Sequence, residues 1–182
     1  MNVPRLLRRL FRAPYDGLRH FGVVAEGVLY RCGQPTPDDL ASLLRRYGIR
    51  TVVSLRGSRT ARDPDAWEAA ERAVCAAHGA TFVLIPFNHK TPPTPAQAAQ
   101  FLDLCRAPEH RPVLVHCRLG QQRTLLFCAL YRVHCDGLSP EAAEREMDAL
   151  GFGARKRRHR KLLSAFRELA ARPPADAPVA GA

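Results

Sequence analysis

The sequence predicts an α/β domain: a central, largely parallel sheet with helices on both faces, and extra helices at the C-terminal end. Three observations carry this. Short β-prone runs alternate with longer helical segments, the pattern of strands joined by crossover helices. Two runs, TVVSL at 51–55 and VLVH at 113–116, are of the buried-strand type. The length, 182 residues, suits one domain with a real core.

The elements follow in order. HFGVVAEGVLYRCG reads as a hairpin, with runs Phe21 to Val24 and Val28 to Arg31 around a turn at Glu26-Gly27. Thr36-Pro37-Asp38-Asp39 is a helix start: a hydroxyl N-cap, proline at the first helical position, acids in the first turn. That helix stops at Gly48, and the strand TVVSL follows. A polar loop, RGSRTARDP, leads to a helix from Asp65 to His78 that Gly79 closes. TFVLIPF is the next strand, and Thr94-Pro95 opens a helix ending near Cys105. Pro112 precedes VLVH. TLLFCALYRVH is apolar on nearly every side, as a central buried helix is. Ser139-Pro140-Glu141 starts a further helix ending at Gly151, and a basic helix is expected from Arg155 to Ala171. Residues 1–14 form a basic appendage, 15–172 the domain, and 173–182 a disordered tail.

Composition narrows the chemistry. Lys and Arg number 28 against 17 acids, a formal charge of +11, so anionic partners are expected. No apolar run reaches the roughly 18 to 20 residues of a membrane span. The N-terminus is basic but lacks the apolar core and cleavage site of a signal peptide, so a cytoplasmic location is expected. Basic segments at LLRRLFR and GARKRRHRK allow peripheral contact with an acidic membrane surface, although a solvated helix face is the preferred reading of the second. Nucleic acid is not expected, because aromatic and basic residues do not interleave. The six cysteines and the histidines show no metal-ligand spacing, so neither a metal nor a cofactor is expected.

The chemistry concentrates at VLVHCRLGQQRT, 113–124. A buried strand ends at His116-Cys117, and a buried helix begins near Thr124. In α/β folds such a turn faces the ligand crevice. Its amides and the helix N-terminus form an anion site. A cysteine there has its thiol pKa lowered by the same field. Arg123 adds a planar fork that holds two phosphate oxygens, and Gly120 permits a tight reversal. The sequence supplies its own control in CRAPEHR, where Cys105 and Arg111 have the same spacing. That stretch follows a helix, has no glycine, and contains a proline and a glutamate. Context carries the inference, not the count of five.

HCRLGQQRT resembles the signature loop of the cysteine-based protein tyrosine and dual-specificity phosphatases: His-Cys, two residues, Gly, two residues, Arg, then Ser or Thr. VLYRCGQPTPDDLASLLRRYGIRTVVSLRG resembles the opening of the compact bacterial dual-specificity-like members, and the likeness covers roughly residues 21–150. The resemblance implies a dual-specificity-phosphatase-like fold and a metal-independent phosphomonoesterase. It implies that Cys117 attacks phosphorus and forms a phosphocysteine. The amides of Arg118, Leu119, Gly120, Gln121, Gln122 and Arg123, with the Arg123 side chain, would hold the phosphoryl oxygens. Thr124 would help the intermediate break down, and His116 would orient the loop. Cys32 offers a resolving thiol for Cys117 under oxidation.

One departure matters. Relatives often carry P-F-x-D-x-x-P-P, whose Asp protonates the leaving oxygen. Here the chain reads P-F-N-H-K-T-P-P, 86–93, with His89 at the Asp position. A histidine can donate a proton near neutral pH, so His89 is the candidate general acid; Asp63, Asp65 or no acid at all are the alternatives. Aryl leaving groups need protonation least, which points to phosphotyrosine. A protein tyrosine or dual-specificity phosphatase acting on a phosphorylated protein or a small phosphoester is the first reading. A phosphoinositide or inositol phosphate phosphatase, and a phospho-ligand-binding pseudophosphatase, are the others.

Overall fold

The computed structural model describes residues 18–56 and 66–172. The expected N-terminal appendage, the C-terminal tail, Asp63 and Asp65 lie outside the described residues. Five strands form one sheet in the order β1-β2-β5-β3-β4. They are β1 Gly22–Ala25, β2 Leu29–Gly33, β3 Thr51–Ser54, β4 Thr81–Leu84 and β5 Val113–Cys117. Only the β1–β2 hairpin is antiparallel; β2–β5, β5–β3 and β3–β4 are parallel. The largely parallel sheet predicted from the alternating pattern is therefore present.

The helices are α1 Pro37–Tyr47, α2 Ala66–Ala77, α3 Pro95–Arg106, α4 Gln122–His134, α5 Pro140–Ala149 and α6 Arg160–Ala170. Their starts are where the caps put them. The Thr36 hydroxyl accepts from the Asp39 amide at 3.2 Å, and Pro37 opens α1. Thr94 and Gln97 form a capping box on α3. Ser139 caps α5.

Strand alternation divides the core between the two faces of the sheet. Tyr30, Cys32, Val52 and Leu114 face Leu40, Leu43 and Leu44 of α1 and Cys75 of α2. Leu29, Val53, Val113 and Val115 face the other way, onto Phe101 of α3, Leu125 to Tyr131 of α4, Met147 of α5 and Phe166 of α6. Helix α4 is central: Thr124 through Tyr131 are all buried. Helices on both faces and additional helices at the C-terminal end match the sequence expectation.

The basic helix expected from Arg155 requires correction. Helix α6 begins at Arg160, and 157–159 is a single 3-10 turn. Gly153, with φ of 74°, reverses the chain just before it. The arginines and lysines of 155–161 are exposed, as a solvated face requires, but His159 is 1% exposed and faces inward. Trp67 is only partly buried and lies against a guanidinium. Phe101 is fully buried.

Candidate active site

Strand β5 lies between β2 and β3, so its C-terminal end opens at the centre of the sheet, where the crevice of a parallel α/β fold forms. Cys117 is the last residue of β5, and five residues later α4 begins at Gln122. The cysteine loop is held against β2 by close backbone approach. The Gln34 amide donates to the Arg118 carbonyl at 3.3 Å. Gly120, with φ of 69°, passes so near the end of β2 that a Cβ there would sit 2.4 Å from the Gly33 nitrogen and 2.6 Å from the Cys32 carbonyl carbon. No side chain fits, which is the physical reason for a glycine at this place.

Cys117 is 2% exposed and opens onto a cleft of ≈ 520 Å³. Burial is the largest single influence on its thiol and pushes the pKa up. The Arg123 guanidinium, the Thr124 hydroxyl and the backbone N–H groups of Thr124 and Leu119 act the other way and win, so the thiol lies below its ordinary value. The Gly120 N–H also reaches Sγ at 3.3 Å. The wholly buried Thr124 hydroxyl has no oxygen or nitrogen partner; its interaction is with the sulfur. The other five cysteines go in the opposite direction. Burial raises Cys32 and Cys105, takes Cys75 to about 11 and Cys128 to about 12, and raises Cys135. In the control stretch, Arg111 donates its Nε to the Cys105 carbonyl at 2.5 Å and its Nη2 to the Arg106 carbonyl. It caps α3 and offers nothing to an anion. Cys32 is buried and unbridged, and its raised thiol makes it a poor attacking group.

Arg123 is anchored by main chain. Its Nη1 donates to the Leu55 carbonyl at 2.7 Å and to the Phe87 carbonyl at 3.2 Å. These are the chain exits from β3 and β4, so two neighbouring strands fix the guanidinium beside the sulfur. The cleft is lined by Arg19, Arg56, Arg118 and Arg123, with Gln34, Phe87, Asn88, His89, Leu119 and Gln122. No carboxylate is among the described lining residues. The field is suited to a dianion. Of the predicted group, Cys117, Arg118, Leu119, Gln122, Arg123 and His89 meet in this cleft, while Gly120 supplies its N–H from behind.

His89 rides on a shaped loop. The Asn88 side-chain oxygen accepts from the amides of Lys90 at 2.8 Å and Thr91 at 3.1 Å, an Asx turn that presents residue 89. The Gln97 side chain donates to the Pro86 carbonyl at 2.9 Å, tying the loop to the start of α3. Behind His89, at 5.4 Å between ring centroids and 19° from parallel, lies His159.

His116 is fully buried beneath the cysteine loop, and its Nε2 lies 3.3 Å from Glu71 Oε1 of α2. Burial, then the charge of Arg56, pushes the His116 pKa down to about 3; burial pushes Glu71 up to about 7. The histidine is thus uncharged, and the pair is not an ion pair at neutral pH. The Gln34 side-chain amide donates to Glu71, and its oxygen accepts from Arg56 Nη1 at 2.7 Å. Arg56 lies over the Trp67 ring at 4.1 Å. Sequence reasoning missed Glu71, Gln34 and Arg56. A signal existed for Glu71: Trp67, Glu71, Val74 and Cys75 share one stripe of α2, and an acid on an apolar stripe points inward.

Comparison with known proteins agrees with this geometry. The dual specificity protein phosphatase TpbA of Pseudomonas aeruginosa is 35% identical over 127 residues, covering 69% of this chain and 52% of TpbA. The chain therefore spans about half the length of the curated relatives it matches. The crystal structure of TpbA superposes with a TM-score of 0.58 at 29% identity, over 79% of this chain and 84% of that one. A cysteine-to-serine variant of TpbA in complex with phosphotyrosine superposes at 0.59 and 23% identity, over 87% and 96%, a likeness of fold. Residues 20–163 match the family model described as "DSP-PTPase phosphatase fused to NAD+ Kinase". With the signature cysteine and arginine in one cleft and a match over most of its length, the chain belongs to that DSP-PTPase family.

Proposed function

We propose that residues 15–172 form one catalytic domain that hydrolyses phosphomonoesters, with phosphotyrosine or another aryl phosphate as the first substrate class. The observation that carries the reading is the contrast among six thiols: Cys117 alone is pulled down, and it alone opens on an arginine-lined cleft. Its thiolate attacks phosphorus as the bond to the leaving oxygen breaks, giving a phosphocysteine. The loop amides and Arg123 hold the phosphoryl oxygens as charge builds on them. His89, charged while the dianion is bound, gives its proton to the leaving oxygen. A water then attacks phosphorus, His89 takes a proton back from it, and the thiolate leaves with help from the Thr124 hydroxyl. His116, uncharged and buried, keeps the loop in place and moves no proton.

TpbA, named as a dual specificity protein phosphatase and captured with phosphotyrosine, supports this substrate class. Four arginines lining the cleft support a second reading, a small substrate with several phosphates such as an inositol phosphate. Neither nucleic acid nor a metal is part of the proposal. A cytoplasmic location and peripheral contact with acidic membrane belong to it as expectations from the sequence. Among the described residues no helix is long and apolar enough to cross a membrane. The test is turnover of p-nitrophenyl phosphate, phosphotyrosyl peptide and inositol phosphates by wild type and Cys117→Ser. Loss of turnover in the folded variant is expected; full retention overturns the assignment, and binding without turnover in wild type would select a phospho-ligand-binding module.

A further inference from the structure

His159 belongs to the basic run that the proposed chemistry leaves without a role, yet it is the one member turned inward. Both of its ring nitrogens are committed. Nδ1 lies 2.9 Å from the Gly153 carbonyl, a group that can only accept. Nε2 receives the Arg158 Nε–H at 3.0 Å, a group that can only donate. One form of the ring satisfies both: uncharged, with its hydrogen on Nδ1. Phe152 packs against one side at 5.6 Å, and the His89 ring stacks nearly parallel at 5.4 Å. Both in-plane nitrogens being used, what His159 offers His89 is an aromatic face.

We propose that His159 is a positioning residue for the general acid: its uncharged ring holds His89 flat against the C-terminal turn and aims it into the cleft. The proposal rests on the reading of His89 as the acid. The face also favours the charged form of His89, because an aromatic surface attracts a cation. That matters in this setting. The cleft that His89 shares is lined by the guanidinium groups of Arg19, Arg56, Arg118 and Arg123 and by the Cys117 sulfur. Lys90 follows His89 in the loop, and Arg158 lies beyond His159. Most of these are positive and resist a further cation; the bound dianion and the aromatic face compensate. A family pattern that uses Asp at this place has no need of such a partner, whereas an imidazole acid does.

The test compares wild type, His89→Ala, His159→Leu and His159→Phe. Leu fills the volume without a ring, and Phe keeps the ring without nitrogens. Each is assayed on p-nitrophenyl phosphate, whose leaving group needs little protonation, and on phenyl phosphate, whose leaving group needs more. His89→Ala is expected to lose about 100-fold in kcat on phenyl phosphate and far less on p-nitrophenyl phosphate. His159→Leu should show the same selectivity at about 10-fold, with the basic limb of kcat moved to lower pH. His159→Phe should recover most of both. Equal losses on the two substrates in His159→Leu, or no recovery in His159→Phe, overturn the proposal while His89 stands. If His89→Ala itself shows no leaving-group selectivity, the acid assignment fails and takes this inference with it. Nitrogen-15 spectra of the wild-type rings supply a check free of substitution: His159 should hold its hydrogen on Nδ1 at neutral pH, and a mobile tautomer or a charged ring would overturn the geometry.

Discussion

Replacing Gly120 by alanine separates two effects that a glycine usually confounds. The new Cβ would lie 2.4 Å from the Gly33 nitrogen and 2.7 Å from the Cys32 carbonyl oxygen. That is about 1 Å short of the 3.4 Å at which ordinary contact begins. The obstructing atoms are backbone of β2, a strand paired on both sides, so the cysteine loop must be the part that moves. A positive φ adds about 1 to 2 kcal/mol for a residue with a side chain. The overlap adds about 1 to 3 kcal/mol, for a total destabilisation of about 2 to 5 kcal/mol. A shift of about 1 Å breaks the Gln34–Arg118 backbone bond and draws the Gly120 N–H away from the sulfur. Misplacement on that scale costs about 100-fold in kcat/KM. Gly27 is the control, with the same φ of 69° and nothing within 4 Å of its would-be Cβ. Gly27→Ala should cost about 1 to 2 kcal/mol and leave turnover alone. The assay is p-nitrophenyl phosphate hydrolysis beside urea unfolding of both variants. Wild-type kcat/KM in Gly120→Ala, or equal behaviour of the two variants, would refute the reasoning that close approach shapes the loop.

Glu71→Gln tests the buried carboxyl. The folded protein favours its uncharged form, because burial lifts its pKa from 4.5 to about 7. An unfolded chain ionises it earlier, so stability falls as pH rises from about 4.5 to about 7, and the full cost remains above that window. Relative to wild type, the glutamine variant should therefore gain up to about 3 kcal/mol between pH 4.5 and pH 8, measured by urea unfolding. His116, held uncharged, acts in the opposite sense below about 6.5 and is common to both proteins; a flat difference across pH would show that Glu71 does not titrate as described. Alkylation by iodoacetamide at pH 6, mapped by mass, should modify Cys117 first and be slowed by inorganic phosphate, and earlier labelling of Cys32 or Cys128 would contradict the thiol ordering. Arg111→Ala should lower stability by about 1 to 3 kcal/mol through the lost α3 cap while kcat/KM stays unchanged.

The fold and the cysteine loop were legible because their signals are local. Thr36-Pro37, Thr94-Pro95 and Ser139-Pro140 announce helix starts within four residues, and HCRLGQQRT carries strand end, amide cradle, thiol and guanidinium on one turn. What escaped reading depends on distant partners. Gln34 meets Glu71 and Arg56 across 37 and 22 residues, and His89 meets His159 across a gap no periodicity spans. His159 was hidden twice, by the charge of its neighbours and by a 3-10 turn that a helical pattern could not foresee. Gly153 before that turn was the one local hint.

The anchoring of Arg123 has a consequence for how this chain tolerates change over time. Its two acceptors are the carbonyls of Leu55 and Phe87, which every amino acid possesses. No substitution at either position deletes the acceptor; only a displacement of the strands can. The orientation of the guanidinium is thus insulated from drift in the sequences around it. Divergent walls can be tried around a fixed cation, so that substrate preference can evolve without first dismantling the centre that it serves.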